Sequence, residues 1–184
     1  MLRGLTVKFS RRDFIKFAGS SLAIAGCSPT ALASCTTKPR HLALSNLHTG
    51  EELEVCYFDG LSYLNKELAR IDNLCRDFRV NQVHPMDKNL FDIISLIQSA
   101  LGTNAEVQII SGYRSPETNQ ALRSMSSGVA KKSYHMLGQA IDFRLDGVNL
   151  KLVRDAAMEL KAGGVGYYPR SDFVHIDTGP VRHW

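Results

Sequence analysis

Ser133-Tyr134-His135-Met136-Leu137-Gly138-Gln139-Ala140-Ile141-Asp142 is the stretch around which the 184-residue chain can be read. It sets a histidine and an aspartate seven positions apart. A second histidine, His175, follows in Asp172-Phe173-Val174-His175-Ile176-Asp177. Two imidazoles and one carboxylate are the donor set of a zinc ion whose fourth position is left for water. In a strand, alternate side chains share a face. Asp142 then lies with Ala140 and Arg144, while Ile141 and Phe143 turn to the opposite side and a core. His175 shares its face with Asp177, and Val174 and Ile176 point away. Two neighbouring strands would thus offer Asp142 and His175 to one ion. His135 would arrive from the loop before them, and the small Gly138 and Ala140 would leave room.

The flanking segments supply a scaffold. Glu106 to Ile110 reads as a strand leading into Ser111-Gly112-Tyr113-Arg114-Ser115, where Arg114 brings a fixed positive charge. Ser115 and Pro116 are the N-cap and first residue of a helix running to about Met125. Residues 126–132 form a small-residue connection at the rim of a cleft. Gly138 to Arg144 is the next strand, and Asn149 caps a helix carrying Leu152, Val153, Ala156, Ala157 and Leu160. Gly163-Gly164 is expected to end that helix. The chain then turns at Pro169-Arg170-Ser171 into a last strand, Phe173 to Asp177. Upstream, residues 41–46 and 53–58 form a hairpin with His48-Thr49-Gly50-Glu51 in its turn. Apolar residues at helical spacing predict helices over about 61–78 and, capped by Asp87, through Leu90, Ile93, Ile94, Ile97 and Leu101. His48 and His84 are assigned to a turn and a surface loop, and His183 to the rim. This order predicts an α+β fold, a small and mostly antiparallel sheet with helices packed on one side.

Charge locates an address. Of 22 Lys and Arg against 18 Asp and Glu, residues 1–33 hold five and one, so the remainder carries 17 of each. A neutral domain gives no sign of a nucleic-acid or anionic-membrane partner. Ser10-Arg11-Arg12-Asp13-Phe14-Ile15-Lys16, the apolar run Phe17 to Ala25 and Ala31-Leu32-Ala33 form a secretory signal, with the paired arginines of a twin-arginine export signal. The apolar run is too short to span a bilayer. The expected division is a signal at 1–33, a loose linker at 34–40 and one domain at 41–184. Leu22 to Cys27 ends in a lipoprotein-like box, so lipid anchoring through Cys27 competes with cleavage after Ala33. Cys35, Cys56 and Cys75 are an odd set without a Cys-x-x-Cys pair. Cys56 and Cys75 are read as packing residues, with a bridge between them open in an oxidising periplasm.

Ser133-x-His135-x-x-Gly138-x-Ala140-x-Asp142 with Asp172-x-x-His175 resembles the zinc site of the D-Ala-D-Ala carboxypeptidase and murein endopeptidase family. That family shares its site with lysostaphin-type peptidases and the hedgehog fold. The Ser111 to Ser115 segment and the Asn46 to Glu51 turn resemble its exported murein endopeptidases. The resemblance implies zinc held by His135, Asp142 and His175, with Arg114 on the polarised carbonyl or a substrate carboxylate. It implies Asp172 as general base. Strand parity keeps Asp177 open for that role, or for orienting a ligand histidine. It also implies that Ser133 helps orient the substrate or the ligand shell; Ser133 and Tyr113 are read as the substrate-binding pair. The implied function is a periplasmic zinc endopeptidase that cuts peptide cross-links between peptidoglycan stems, exported by the twin-arginine machinery. A D,D- or L,D-carboxypeptidase trimming stem peptides, or a zinc-containing wall-binding module without turnover, are the alternatives.

Overall fold

The computed structural model describes residues 38–126 and 128–184. The expected signal, its cleavage and lipidation points, and Cys35 lie outside the described residues. Among the described residues seven strands form one sheet: β1 (Arg40–Asn46), β2 (Glu52–Phe58), β3 (Val107–Ser111), β4 (Ala140–Leu145), β5 (Gly164–Tyr168), β6 (Phe173–Asp177) and β7 (Arg182–His183). Their order is β2-β1-β3-β4-β6-β5-β7. Four of the six pairings are antiparallel; β1 with β3 and β5 with β7 run parallel. The α+β expectation therefore holds.

The helices are α1 (Asn65–Leu74), α2 (Lys88–Leu101), α3 (Pro116–Met125) and α4 (Leu150–Leu160). Asp87, Ser115 and Asn149 cap α2, α3 and α4, each side chain accepting a backbone N–H of the first turn. α2 and α4 pack on each other, α2 reaching β1 and α4 reaching β4, β5 and β6. Between helices and sheet lie Leu42, Leu44, Ile94, Ile97, Ile109, Ile141, Phe143, Val153, Val174 and Ile176, all essentially inaccessible. The alternation read in 140–145 and 173–177 is what puts one face of β4 and β6 into this core and leaves the other for chemistry.

Several boundaries differ from the sequence expectation. The helix expected over 61–78 is only Asn65–Leu74. At its start the Asp59 carboxylate accepts the amides of Leu61 and Ser62, which makes a turn, and Leu61 is exposed. At its end the Cys75 carbonyl is taken by the Tyr113 amide, and residues 77 and 82 form a bridge. Lys161, in the left-handed region, caps α4 in place of Gly163-Gly164. Gly163 serves a different purpose, since a Cβ there would collide with the Asp177 carbonyl. The chain also continues past Phe173–Asp177 into β7, so β6 is not the last strand. Cys56 and Cys75 are free thiols and no bridge joins them. Burial pushes the Cys75 thiol up to about 12.

Candidate metal centre

β4 and β6 are hydrogen-bonded neighbours in which Asp142 stands opposite His175. His135 comes from a 3-10 turn, Tyr134–Leu137, directly before β4. Ser133 opens the turn, its hydroxyl accepting the His135 amide at 3.3 Å. Gly138 closes it in the left-handed region at φ 66°, where a Cβ would also collide with the Pro85 carbonyl. The seven-position spacing is thus one tight turn plus one glycine reversal, which brings His135 over the strand that carries Asp142.

His135 Nε2 lies 3.3 Å from His175 Nδ1 and 3.3 Å from Asp142 Oδ1, and His175 Nδ1 lies 2.8 Å from Asp142 Oδ1. All three side chains are buried. Ligand bonds of about 2.0–2.1 Å in a tetrahedron put neighbouring donors about 3.3 Å apart, so two of the three edges already match a bound zinc. The chemistry of the donor set fits as well. The far nitrogens are committed, His135 Nδ1 donating to the Gly112 carbonyl at 2.7 Å and His175 Nε2 to Asp177 Oδ2 at 2.9 Å. With those protons in place, two nitrogen lone pairs and a carboxylate oxygen converge on one point. Such a group calls for a cation.

The electrostatics favour positive charge at this point, a proton where no ion is bound. Burial disfavours charge on Asp142, but His135 and His175 outweigh it and hold the carboxyl well below the usual range. Burial likewise opposes a charged His175, yet hydrogen bonds to Asp142 and Asp177 outweigh it and raise this imidazole to about 9. For Arg114 burial wins and lowers the guanidinium, against the opposing pull of Asp142.

Arg114 borders the three donors, Nη2 standing 4.0 Å from Asp142 Oδ2. Its own hydrogen bonds are long, 3.4 Å to Asn119 Oδ1 and 3.3 Å to Ser111 Oγ, and its buried Nε has no partner. Tyr113 is buried, its ring stacked on His84 at 4.6 Å. His84 is therefore not a free surface residue; it backs the loop that carries Arg114. Asp172 immediately precedes β6 with φ 54° and pairs with Arg144 Nη1 at 2.6 Å. Asp177, fully buried, sits on the far side of the His175 ring from Asp142. His48, exposed in its turn, stacks on Phe78 at 4.6 Å.

Three neighbours were not singled out in the sequence. Arg144 holds Asp172 and is itself held by Gln108 Oε1 at 2.7 Å. Arg182 pairs with Asp177, and the Trp184 ring lies 5.3 Å from that of His175. Only Arg144 had a signal, its shared parity with Asp142.

A family model described as Peptidoglycan L,D-endopeptidase MepK matches residues 34–184. The Peptidoglycan L,D-endopeptidase MepK of Escherichia coli (strain K12) is 51% identical over 176 residues, covering 95% of this chain and 97% of its own. The protein of that name from Shigella flexneri matches equally. The Probable peptidoglycan L,D-endopeptidase MepK of Haemophilus influenzae is 47% identical over 177 residues, 95% of each chain.

Proposed function

The chain belongs to this peptidoglycan L,D-endopeptidase family, and from that premise we propose that it uses zinc to hydrolyse an amide cross-link between an L- and a D-configured centre. Family membership makes it a metallopeptidase of peptidoglycan that cleaves peptide cross-links, and so one that works in the periplasm or outside the cell. The observation that carries the zinc reading is the convergence of His135 Nε2, Asp142 Oδ1 and His175 Nδ1, two of their three separations matching tetrahedral edges. We assign residues 1–33 to a twin-arginine export signal and residues 41–184 to the catalytic domain. Processing after Ala33 and lipidation at Cys27 remain the two routes by which the domain would reach its compartment.

When bound, the ion supplies Lewis acidity at the scissile carbonyl and a water acidified toward neutrality. The remaining work belongs to side chains of this chain. Asp172 takes the proton of the attacking water and returns it to the leaving amine. Its place before the regular strand, on the side where Arg144 emerges, supports that role. Arg114 stabilises the oxyanion or binds a substrate carboxylate, and its weakly engaged nitrogens leave it donors to offer. Ser133 orients the donors through the His135 turn, and Tyr113, buried and stacked on His84, supports the loop that carries Arg114. Asp177 orients His175 from behind, which its full burial and its contact with Nε2 support better than a role as base.

A digest of purified sacculi tests this. The zinc-loaded protein should consume dimers joined through L,D bonds, leave D,D-linked dimers intact and yield monomers without loss of terminal residues. A His175→Ala control should leave every muropeptide unchanged. Release of single terminal residues would move the assignment to a carboxypeptidase.

A further inference from the structure

Asp177 is saturated with donors. Oδ1 accepts the Gly179 amide at 2.9 Å and the Gly164 amide at 3.2 Å, and Oδ2 accepts His175 Nε2 at 2.9 Å. Arg182 then reaches both oxygens, Nη1 to Oδ1 at 2.9 Å and Nη2 to Oδ2 at 2.6 Å. A carboxylate offers about four lone-pair sites, and here five donors occupy them. The group cannot rotate, and it already has its counter-ion. His175 therefore meets a fixed acceptor that claims its Nε2 proton and leaves Nδ1 turned toward Asp142 and His135.

The fold makes room for this arginine. β7 pairs in parallel with β5, Gly164 against Arg182 and Val165 against His183. Gly164 and Gly166 share the face of Asp177 and His175, their partners across β6. Neither glycine adopts a positive φ, so backbone freedom does not explain them. Space does. A Cβ on Gly164 would collide with the Arg182 guanidinium and stand 2.5 Å from Asp177 Oδ2. On Gly166 it would stand 2.8 Å from the Trp184 indole, which closes the outer side of the His175 ring. Trp184 is pinned in turn, Nε1 donating to the Tyr168 hydroxyl at 2.7 Å and its backbone pairing with Val165 and Tyr167.

We propose that Arg182, seated in the slot left by Gly164, is a positioning residue that fixes His175 for the metal through Asp177. This rests on the reading of His175 as a ligand. Arg182 touches neither substrate nor ion; its effect is on how well His175 is held, and so on metal affinity. Removing such a supporting contact typically weakens metal binding about 10–100-fold.

Zinc affinity of the full-length protein, by competition with a chromogenic chelator, tests this in the wild type, His175→Ala, Arg182→Ala and Arg182→Lys, with circular dichroism to report the fold. Arg182→Ala should keep the wild-type spectrum and bind zinc about 10–100-fold more weakly. Its kcat should recover in excess zinc with KM unchanged. Arg182→Lys should restore only part of the affinity, because an ammonium cannot engage both oxygens as a guanidinium does. Wild-type affinity in a folded Arg182→Ala overturns the proposal. Should that variant fail to fold, Arg182→Lys decides, at least a threefold loss supporting the proposal and wild-type affinity overturning it. Equal zinc binding by the wild type and His175→Ala would instead sink the ligand reading beneath it.

Discussion

Asp142 on β4 and His175 on β6 are register partners in an antiparallel ladder, and their side chains meet at 2.8 Å between Oδ1 and Nδ1. Directly opposed residues of a ladder have Cβ atoms about 4.5–5.5 Å apart, so the backbone already brings two of the three donors together. Only His135 must be delivered from elsewhere, and the Ser133 to Gly138 turn does that. The site is therefore built on rigid elements rather than on a long loop.

Metal removal should cost stability in proportion to this convergence. An ion bound only by the folded state, at about 1,000 times its dissociation constant, adds about 4 kcal/mol. For a chain of this size that corresponds to roughly 10 °C in the melting midpoint. Thermal unfolding with and without zinc should show that shift in the wild type and none in His135→Ala. A shift that survives in His135→Ala would exclude this histidine as a ligand.

Arg114→Ala should lower kcat/KM by roughly 10²–10³ while leaving zinc affinity within a few-fold of wild type. The guanidinium is 4.0 Å from Asp142 and makes only long bonds to Asn119 and Ser111. That placement fits the proposed role of meeting a substrate oxygen better than one of holding the three donors. Steady-state kinetics beside a zinc titration separate the two roles. Loss of zinc together with activity would make Arg114 structural.

Asp172→Asn should reduce kcat about 10²–10⁴-fold with zinc content unchanged, as expected for a lost general base. Arg144→Ala should have a smaller effect in the same direction, because the carboxylate loses the pairing that aims it. The left-handed φ of 54° at Asp172 is a costly setting for a non-glycine residue, and it directs this side chain out of the strand alternation. An Asp172→Asn variant with wild-type turnover would return the base role to another group.

Strand alternation was enough to read the metal face, because Ile141, Phe143, Val174 and Ile176 leave Asp142 and His175 no other side. The 3-10 turn was legible only as a loop, since four residues carry no period. β7 was invisible for the same reason, and with it Arg182 and Trp184: a two-residue strand has no pattern, and its partner β5 is identified by pairing alone. The overextended α1 is a different failure. Leu61 and Phe78 keep helical spacing, but Asp59 and the Cys75 carbonyl spend their hydrogen bonds on a turn and on Tyr113. Local competition for backbone groups ended the helix before the pattern did.

That boundary also predicts a pH dependence. Asp77, buried just past α1, accepts the Ser115 amide at 2.9 Å and the Arg79 amide at 3.2 Å, tying the end of α1 to the start of α3 beside Arg114. Burial works against its charge, but hydrogen bonds from Thr118, Ser115 and Arg79 prevail and lower its pKa. A carboxyl whose folded pKa lies below its unfolded value stabilises the protein above the unfolded pKa of about 4 and loses that contribution as pH falls through the folded pKa. Asp77→Asn sets an N–H₂ against backbone donors and should cost about 1–3 kcal/mol near neutrality. Urea unfolding of both proteins should give a constant gap from pH 7 to 5, narrowing below about pH 4 as the wild-type carboxyl takes up its proton. A gap unchanged down to pH 3 would mean that Asp77 acts through shape and not through its charge.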